Sequence, residues 1–337
     1  MPSDKLPFIS VVIPTYNMRD LLRDVVESLY KQSYPRDRYE IIVVDNSSTD
    51  GTKDMMHSLQ QKSPCLLRYY RKENEGPGSS RNRGIAKARG TIIAFTDGDC
   101  VADQNWLKNG IAKMTDGIGI VQGKTLPNPD QTLSTFSKTQ SVPNENGMYP
   151  MCNIFYRKDA LDQVGGISPD FCGLNCFGKP RWGGEDTDLA WRVKKQGWES
   201  VFADRAIIYH HIFTLSPWQA IFGFRKYQVQ GLFFAVPYLL KKHPELRKHM
   251  YFRFFLTRKK ALFDIFILSL LSGILIHQVF FIFAFPYITL QSKDAFLWRP
   301  LKKYHRGLVV LIARVLSDFV DFILLLSGSI WNRSIIL

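Results

Sequence analysis

The sequence predicts an α/β fold in which a parallel sheet carries helices on both faces, followed by a helical region of different character. Three observations predict it. Short β-rich apolar runs alternate with segments of helical apolar spacing through the first hundred residues, as βαβ units do. Polar and acidic residues stand directly after those runs, where sheets of this kind collect their ligands. The last quarter holds long apolar runs flanked by Lys and Arg.

The elements follow in order. Residues 8–13 form a buried strand closed by Pro14, and 19–32 repeat apolar residues at Leu21, Leu22, Val25, Val26 and Leu29, one face of a helix. Residues 40–44 form a second strand ending in Asp45; 46–52 read as a turn with helix-capping residues, with helix to about Gln61. A third strand covers 66–71, a Gly-Pro-Gly loop precedes a helix over 79–88, and a fourth strand covers 91–95. From Gly119 the pattern changes. Strands are expected over 118–123 and 153–157, helices over 158–164 and 187–196, and short strands over 200–202 and 206–209, the last leading to His210-His211. Residues 124–150 read as a long polar loop. The Gly-rich stretch 172–184 lacks periodicity and suits a mobile lid. No internal repeat is apparent.

The fourth strand delivers Thr96-Asp97-Gly98-Asp99-Cys100. Residues two apart on a strand point the same way, and the glycine lets the chain bend so that both carboxylates reach one small site. Two hard oxygen ligands there suit a divalent cation holding a diphosphate. An isolated Asp-Gly-Asp is a solvated turn; here Pro14-Thr15-Tyr16-Asn17 and Asp45 fall at neighbouring strand ends and converge on the same cleft.

Net charge is +14 and the sequence pI about 9.5, so an anionic partner is expected. The cations cluster beside apolar runs and no nucleic-acid-binding motif is present, which favours lipid headgroups over nucleic acid. Five cysteines without metal-ligand spacing read as free thiols in a reducing compartment. Residues 1–17 lack the pattern of a signal peptide, so the N-terminal part is expected in the cytoplasm. A Rossmann oxidoreductase is excluded because the turn after the first strand, Pro14-Thr15-Tyr16-Asn17-Met18, has no glycine for the close approach of a dinucleotide pyrophosphate.

Taken together, residues 10–17, 43–52, Ser80-Arg81-Asn82-Arg83-Gly84, Asp97-Gly98-Asp99 and Gly184-Glu185-Asp186-Thr187-Asp188-Leu189 resemble the family 2 glycosyltransferases of the GT-A, nucleotide-diphospho-sugar transferase, fold. The likeness runs over about residues 8–211. It implies an inverting transfer of a sugar from a nucleotide-diphospho-sugar to a hydroxyl of a glycan or lipid-linked acceptor; a polyprenyl phosphate acceptor, or a binder that has lost its chemistry, are the alternatives. It implies donor contacts at Pro14, Thr15, Tyr16, Asn17 and Asp45, with Asp45 accepting from the base, although an N-cap or turn role would also suit that aspartate. Arg81 matches an arginine near the donor phosphates, where a guanidinium suits bidentate contact; Arg83 and Lys72 are alternatives. Asp97 would contact ribose or sugar hydroxyls and Asp99 would ligate Mg2+ or Mn2+, with His210, or the adjacent His211, as a further ligand. Asp186 matches the general base and Glu185 supports it or the acceptor, while Asp50, Thr52 and Asp188 read as helix-start structure. Trp182 suits a sugar-stacking or a core position.

Three regions are expected: a catalytic domain over 1–215, basic amphipathic helices over 216–260, and apolar membrane-associated helices over 261–337. Lys241, Lys242, Arg247, Lys248, Arg253, Arg258, Lys259 and Lys260 form a basic cluster of the kind that attracts anionic lipids. The apolar stretch 265–290 is long enough to cross a bilayer once. A crossing would put Lys293, Arg299, Lys302, Lys303 and Arg306 outside, against the positive-inside rule. A re-entrant hairpin bent near His277-Gln278 keeps both basic flanks on the cytoplasmic face. Arg314, Asp318 and Asp321 suit an interfacial rather than an embedded last helix.

Overall fold

The computed structural model of the chain describes residues 6–134, 137–172, 183–216, 219, 233–296 and 304–336. The chain divides into two compact units, residues 1–133 with 138–213, and residues 134–137 with 214–337. Trp182, Cys176, most of the 172–184 stretch and most of 217–232 lie outside the described residues.

In the first unit the alternation read from the sequence becomes β1 (Ile9–Thr15), α1 (Arg19–Tyr30), β2 (Tyr39–Asp45), α2 (Thr52–Gln61), β3 (Leu66–Arg71), α3 (Pro77–Lys87) and β4 (Ile92–Thr96). Ile9, Val11 and Ile13 of β1 enter one core with Leu22, Val25, Val26 and Leu29 of α1, each such side chain contributing about 1.5–3 kcal/mol on burial. Val12 faces the other way and meets α3. A Cβ at Gly84 would lie 2.3 Å from its Cγ1, so the glycine sets how closely α3 approaches the sheet. Helices therefore cover both faces.

The sheet continues through β5 (Cys100–Ala102), β6 (Ile118–Pro127), β8 (Asn153–Arg157) and β9 (Glu199–His210), in the order β3-β2-β1-β4-β8-β6-β9-β5. The first four strands are parallel, as expected. The remainder is mixed: β8 runs antiparallel to β4 and β6, β9 parallel to β6, and β5 antiparallel to β9. The parallel arrangement read from the first hundred residues thus ends at β4, and among the described residues no helical crossover joins β6 to β8. Within that half, α4 (Trp106–Ile111), α5 (Lys158–Val164) and α6 (Glu185–Lys195) are helical, and β7 (Ser137–Lys138) and β10 (Phe213–Thr214) form a two-stranded ribbon. The two short strands expected at 200–209 are one bulged strand, β9. Neither β5 nor α4 is legible in the sequence, since three and six residues are too short to show a period.

In the second unit, α7 (Val236–Lys242), α8 (Arg258–Leu275), a 3-10 segment (Gln278–Ala284), α9 (Phe285–Phe296) and α10 (Tyr304–Asn332) follow one another. The chain breaks at His277, whose Nδ1 accepts from Val279 N at 3.2 Å, and then folds back. Ser269 Oγ donates to Phe280 O at 2.5 Å and the Tyr287 ring stands 4.9 Å from that of Phe266, so the bend expected near His277-Gln278 is present. Among the described residues no helix is long and apolar enough to cross a membrane. The acidic groups of α10 are paired within the helical unit. Asp318 is buried and accepts from Tyr287 Oη at 2.7 Å, Gln291 Nε2 at 2.6 Å and Lys259 Nζ at 3.1 Å, while Lys260 pairs with Asp321. A carboxylate among apolar helices needs such partners to stay charged.

Candidate active site

The C-terminal ends of β1, β2 and β4 stand side by side, which the register Thr15↔Asp45 and Val12↔Phe95 enforces. At β1, Pro14 is the penultimate strand residue and Thr15 is buried, its Oγ1 without a hydrogen-bond partner among the described residues. Tyr16 is 42% exposed beyond the strand end. Asn17 takes a positive φ of 51°, its N donating to Ser48 Oγ at 2.9 Å and its Oδ1 accepting from Thr49 N at 2.8 Å. This staples the first two strand-end loops together.

Asp45 is fully buried. Its Oδ1 accepts from Ser48 N at 2.9 Å and Ser48 Oγ at 2.5 Å, and its Oδ2 from Tyr69 Oη at 2.5 Å. Asp45 thus closes its own turn, the structural role weighed for it, at the end of β2. Asp50 accepts from Arg19 N, Thr52 N and Thr52 Oγ1, the local role expected of it.

At β4, Asp97 Oδ1 accepts from Arg81 Nη2 at 2.6 Å. Gly98 packs beside Thr15, where an added Cβ would stand 3.4 Å from Oγ1. Asp99 faces β9. The pairing Cys100↔His210 brings its Oδ2 to 3.7 Å from His210 Nε2. His210 Nδ1 lies 2.8 Å from His211 O and 3.3 Å from Thr139 Oγ1. A carbonyl can only accept, so Nδ1 carries a proton and Nε2 is the nitrogen turned toward Asp99. Together with Cys100 Sγ these ligand atoms lie within 4.8 Å of one another, and a carboxylate with a correctly oriented imidazole is a donor set that fits a divalent ion. The ring of His211 instead packs at 4.7 Å on Phe213.

Gly184, at φ 92°, turns the chain into α6. Glu185 is its first residue, and Oε1 accepts from Arg81 Nη1 at 3.1 Å while Oε2 is buried without a partner among the described residues. Asp186 Oδ1 accepts from Thr187 N at 2.8 Å. Burial, then the neighbouring Glu185 charge, push the Asp186 carboxyl up to about 7, against the lowering influence of the Thr187 amide and Arg81. Burial likewise raises Asp99, opposed first by His210. Asp188 points away: fully buried, it pairs with Arg192 Nε at 2.7 Å, and Arg192 in turn holds Val164 O and Gly166 O.

The structure therefore brings Asp97, Arg81 and Glu185 into one cluster and Asp99 with His210 into another, with Thr15 beside the first aspartate's turn. Sequence reasoning missed Thr139 and the His211 carbonyl, which orient His210, and Tyr69, which caps Asp45. No motif marks those three, and only the strand pairing assembles them.

This is the architecture of a GT-A transferase: over 98% of this chain and 88% of the other, the fold superposes with TM-score 0.55 and 16% identity on the mannosyltransferase PcManGT of Pyrobaculum calidifontis, solved with GDP-Man and Mn2+. The family model described as Glycosyl transferase family 2 matches residues 10–178, half of the chain, and the chain belongs to that family. Among curated relatives, it is 33% identical over 170 residues to the glycosyltransferase AglE of Haloferax volcanii, covering 48% of this chain and 56% of AglE. It is 32% identical over 131 residues to the GalNAc(5)-diNAcBac-PP-undecaprenol beta-1,3-glucosyltransferase of Campylobacter jejuni, covering 38% and 41%. The chain thus spans about half the length of the curated relatives it matches.

Proposed function

We propose that the chain is an inverting, metal-dependent glycosyltransferase that moves a sugar from a nucleotide-diphospho-sugar to a hydroxyl of a glycan or lipid-linked acceptor. The observation that carries the reading is the pairing of two carboxylate motifs, Asp97-Gly98-Asp99 with His210 on one side and Glu185-Asp186 on the other, at the ends of β4, β9 and α6. Pro14, Thr15, Tyr16, Asn17 and Asp45 form the nucleotide side. Asp45 Oδ2 has one further lone pair for a base N–H beside the Tyr69 hydroxyl, and Thr15 Oγ1, without a partner among the described residues, offers a polar contact. Asp97 keeps acceptor capacity for a ribose or sugar hydroxyl. Asp99 and His210 would hold Mg2+ or Mn2+, which neutralises the departing diphosphate.

Asp186 takes the proton of the acceptor hydroxyl as its oxygen attacks the anomeric carbon, and a carboxylate held near 7 is matched to that exchange at neutral pH. A single base with direct displacement inverts the anomeric centre. The catalytic residues are Asp186 and, beside it, Glu185.

A lipid-linked acceptor is favoured by the second unit. Leu308, Ile312, Leu316, Phe319, Ile323 and Ile330 leave a solvent-facing apolar stripe along α10. Arg253, Arg258, Lys241 and Lys248 bring the positive charge that anionic headgroups attract. The C-terminal region would hold the enzyme on the cytoplasmic membrane face without crossing it. A polyprenyl phosphate is the second acceptor reading, favoured by the same basic residues.

The test is a panel of UDP-, GDP- and dTDP-sugars offered to the full chain, reading released nucleoside diphosphate with Mn2+ and with excess chelator. Turnover of one donor, lost in chelator, is expected. Silence toward every donor overturns the enzyme reading, and full activity in chelator overturns the metal.

A further inference from the structure

The Arg81 guanidinium is committed to carboxylates. The residue is 5% exposed; Nη2 reaches Asp97 Oδ1 at 2.6 Å and Nη1 reaches Glu185 Oε1 at 3.1 Å, while Nε is buried with no partner among the described residues. Three elements meet at this one side chain: α3, which carries it, the end of β4, which carries Asp97, and the first residue of α6, which carries Glu185. The two carboxylates are separated by 88 positions in sequence, and each reaches the other only through the Arg81 cation between them.

We propose that Arg81 is a positioning residue, a clamp that fixes the start of α6, and with it Asp186, against the Asp97-Gly98-Asp99 turn, rather than a ligand of the donor phosphates. The proposal rests on the transferase reading above. A planar fork suits this duty, because it meets two carboxylates along two separate N–H directions, which the point charge of a lysine cannot reproduce. Removing it would leave Glu185 and Asp97 as buried or half-buried anions with no counter-charge, and they would repel each other and Asp186.

The clamp also has an electrostatic consequence. Among the described residues, the groups facing Asp186 are Glu185 and the Thr187 amide on α6, Arg81 on α3 and the phenol of Tyr156 on β8. Glu185 raises the Asp186 carboxyl and Arg81 lowers it. Loss of Arg81 therefore moves the acid limb of the rate profile up, and loss of the Glu185 charge moves it down.

The experiment compares Arg81→Met, Arg81→Lys and Glu185→Gln in the full chain. It reads the pH profile of kcat with the donor that the wild type turns over, and the Kd of UDP and GDP in Mn2+ by calorimetry. Arg81→Met is expected to keep nucleoside diphosphate affinity within about threefold, to lose at least about tenfold in kcat at pH 7, and to shift the acid limb up by about one unit. Arg81→Lys should restore the limb but not kcat, and Glu185→Gln should shift the limb down. A loss of UDP or GDP affinity of about a hundredfold with the limb in place would make Arg81 a phosphate ligand and overturn the proposal. If Arg81→Met fails to fold, Glu185→Gln decides: an unmoved limb also overturns it. A wild type without turnover defeats the transferase reading instead, so the two failures are distinct.

Discussion

At the scale of single residues, two aspartates two positions apart have opposite duties. Burial and the Glu185 charge push the Asp186 carboxyl up to about 7, and Asp188 is locked to Arg192. Asp186→Asn should lower turnover by about two to four orders of magnitude, the usual worth of a positioned base, with nucleotide affinity by calorimetry unchanged. Asp188→Asn should leave kcat per folded molecule near normal but cost about 3–5 kcal/mol in denaturant unfolding, since it breaks a buried pair whose arginine also holds two backbone carbonyls. That cost is larger than a helix-start role implies, and nothing in the sequence announces the burial. The raised Asp186 carboxyl also links stability to pH. Its folded value lies above the ordinary 3.8, so its contribution is fully present below that pH and is lost as pH rises toward 7. The rate runs the other way, because the base must be ionised. A stability profile and a rate profile of the same protein should therefore slope oppositely between about pH 4 and 7, and parallel slopes would remove Asp186 from the role of base.

At the scale of elements, the glycine of the Arg81-Asn82-Arg83-Gly84 motif is a packing device. Gly84→Ala would press a methyl to 2.3 Å of Val12 Cγ1, and should cost about 1–3 kcal/mol, read as a fall in melting temperature. An unchanged melting temperature would mean that α3 shifts freely on the sheet, which the Arg81 contacts oppose. This register of helix on strand also explains what was legible. Strands β1 to β4 and their helices repeat a period long enough to read, and Pro14, Asp45 and Asp97 stand at or just beyond the ends of those strands. The second half was legible only in pieces. β5 is three residues long, β9 pairs across eighty residues or more with β6 and more than a hundred with β5, and non-local pairing leaves no local pattern. The contact of Asp99 with His210 follows from that pairing, so spacing alone did not separate His210 from His211.

At the scale of the whole molecule, the chain joins a sheet unit that carries the cleft to a helical unit with exposed apolar faces. In the helical unit the hairpin at His277 was legible because polar residues interrupt an apolar run. The burial of Asp318 was not, since its partners Tyr287 and Gln291 lie on another helix. If the second unit lies on a bilayer, the full chain should float with vesicles rich in anionic phospholipid, release as salt rises, and bind neutral vesicles less. Equal binding to both would assign the interaction to apolar contact alone. A single-base displacement on a nucleotide-sugar held at the β4 edge inverts the anomeric centre, so the configuration of the product decides between it and a double displacement. With an α-linked nucleotide sugar as donor and the full chain in Mn2+, proton coupling constants at the new linkage should report a β-glycoside. An α-glycoside would require a nucleophile on the opposite face of the sugar and would contradict the account.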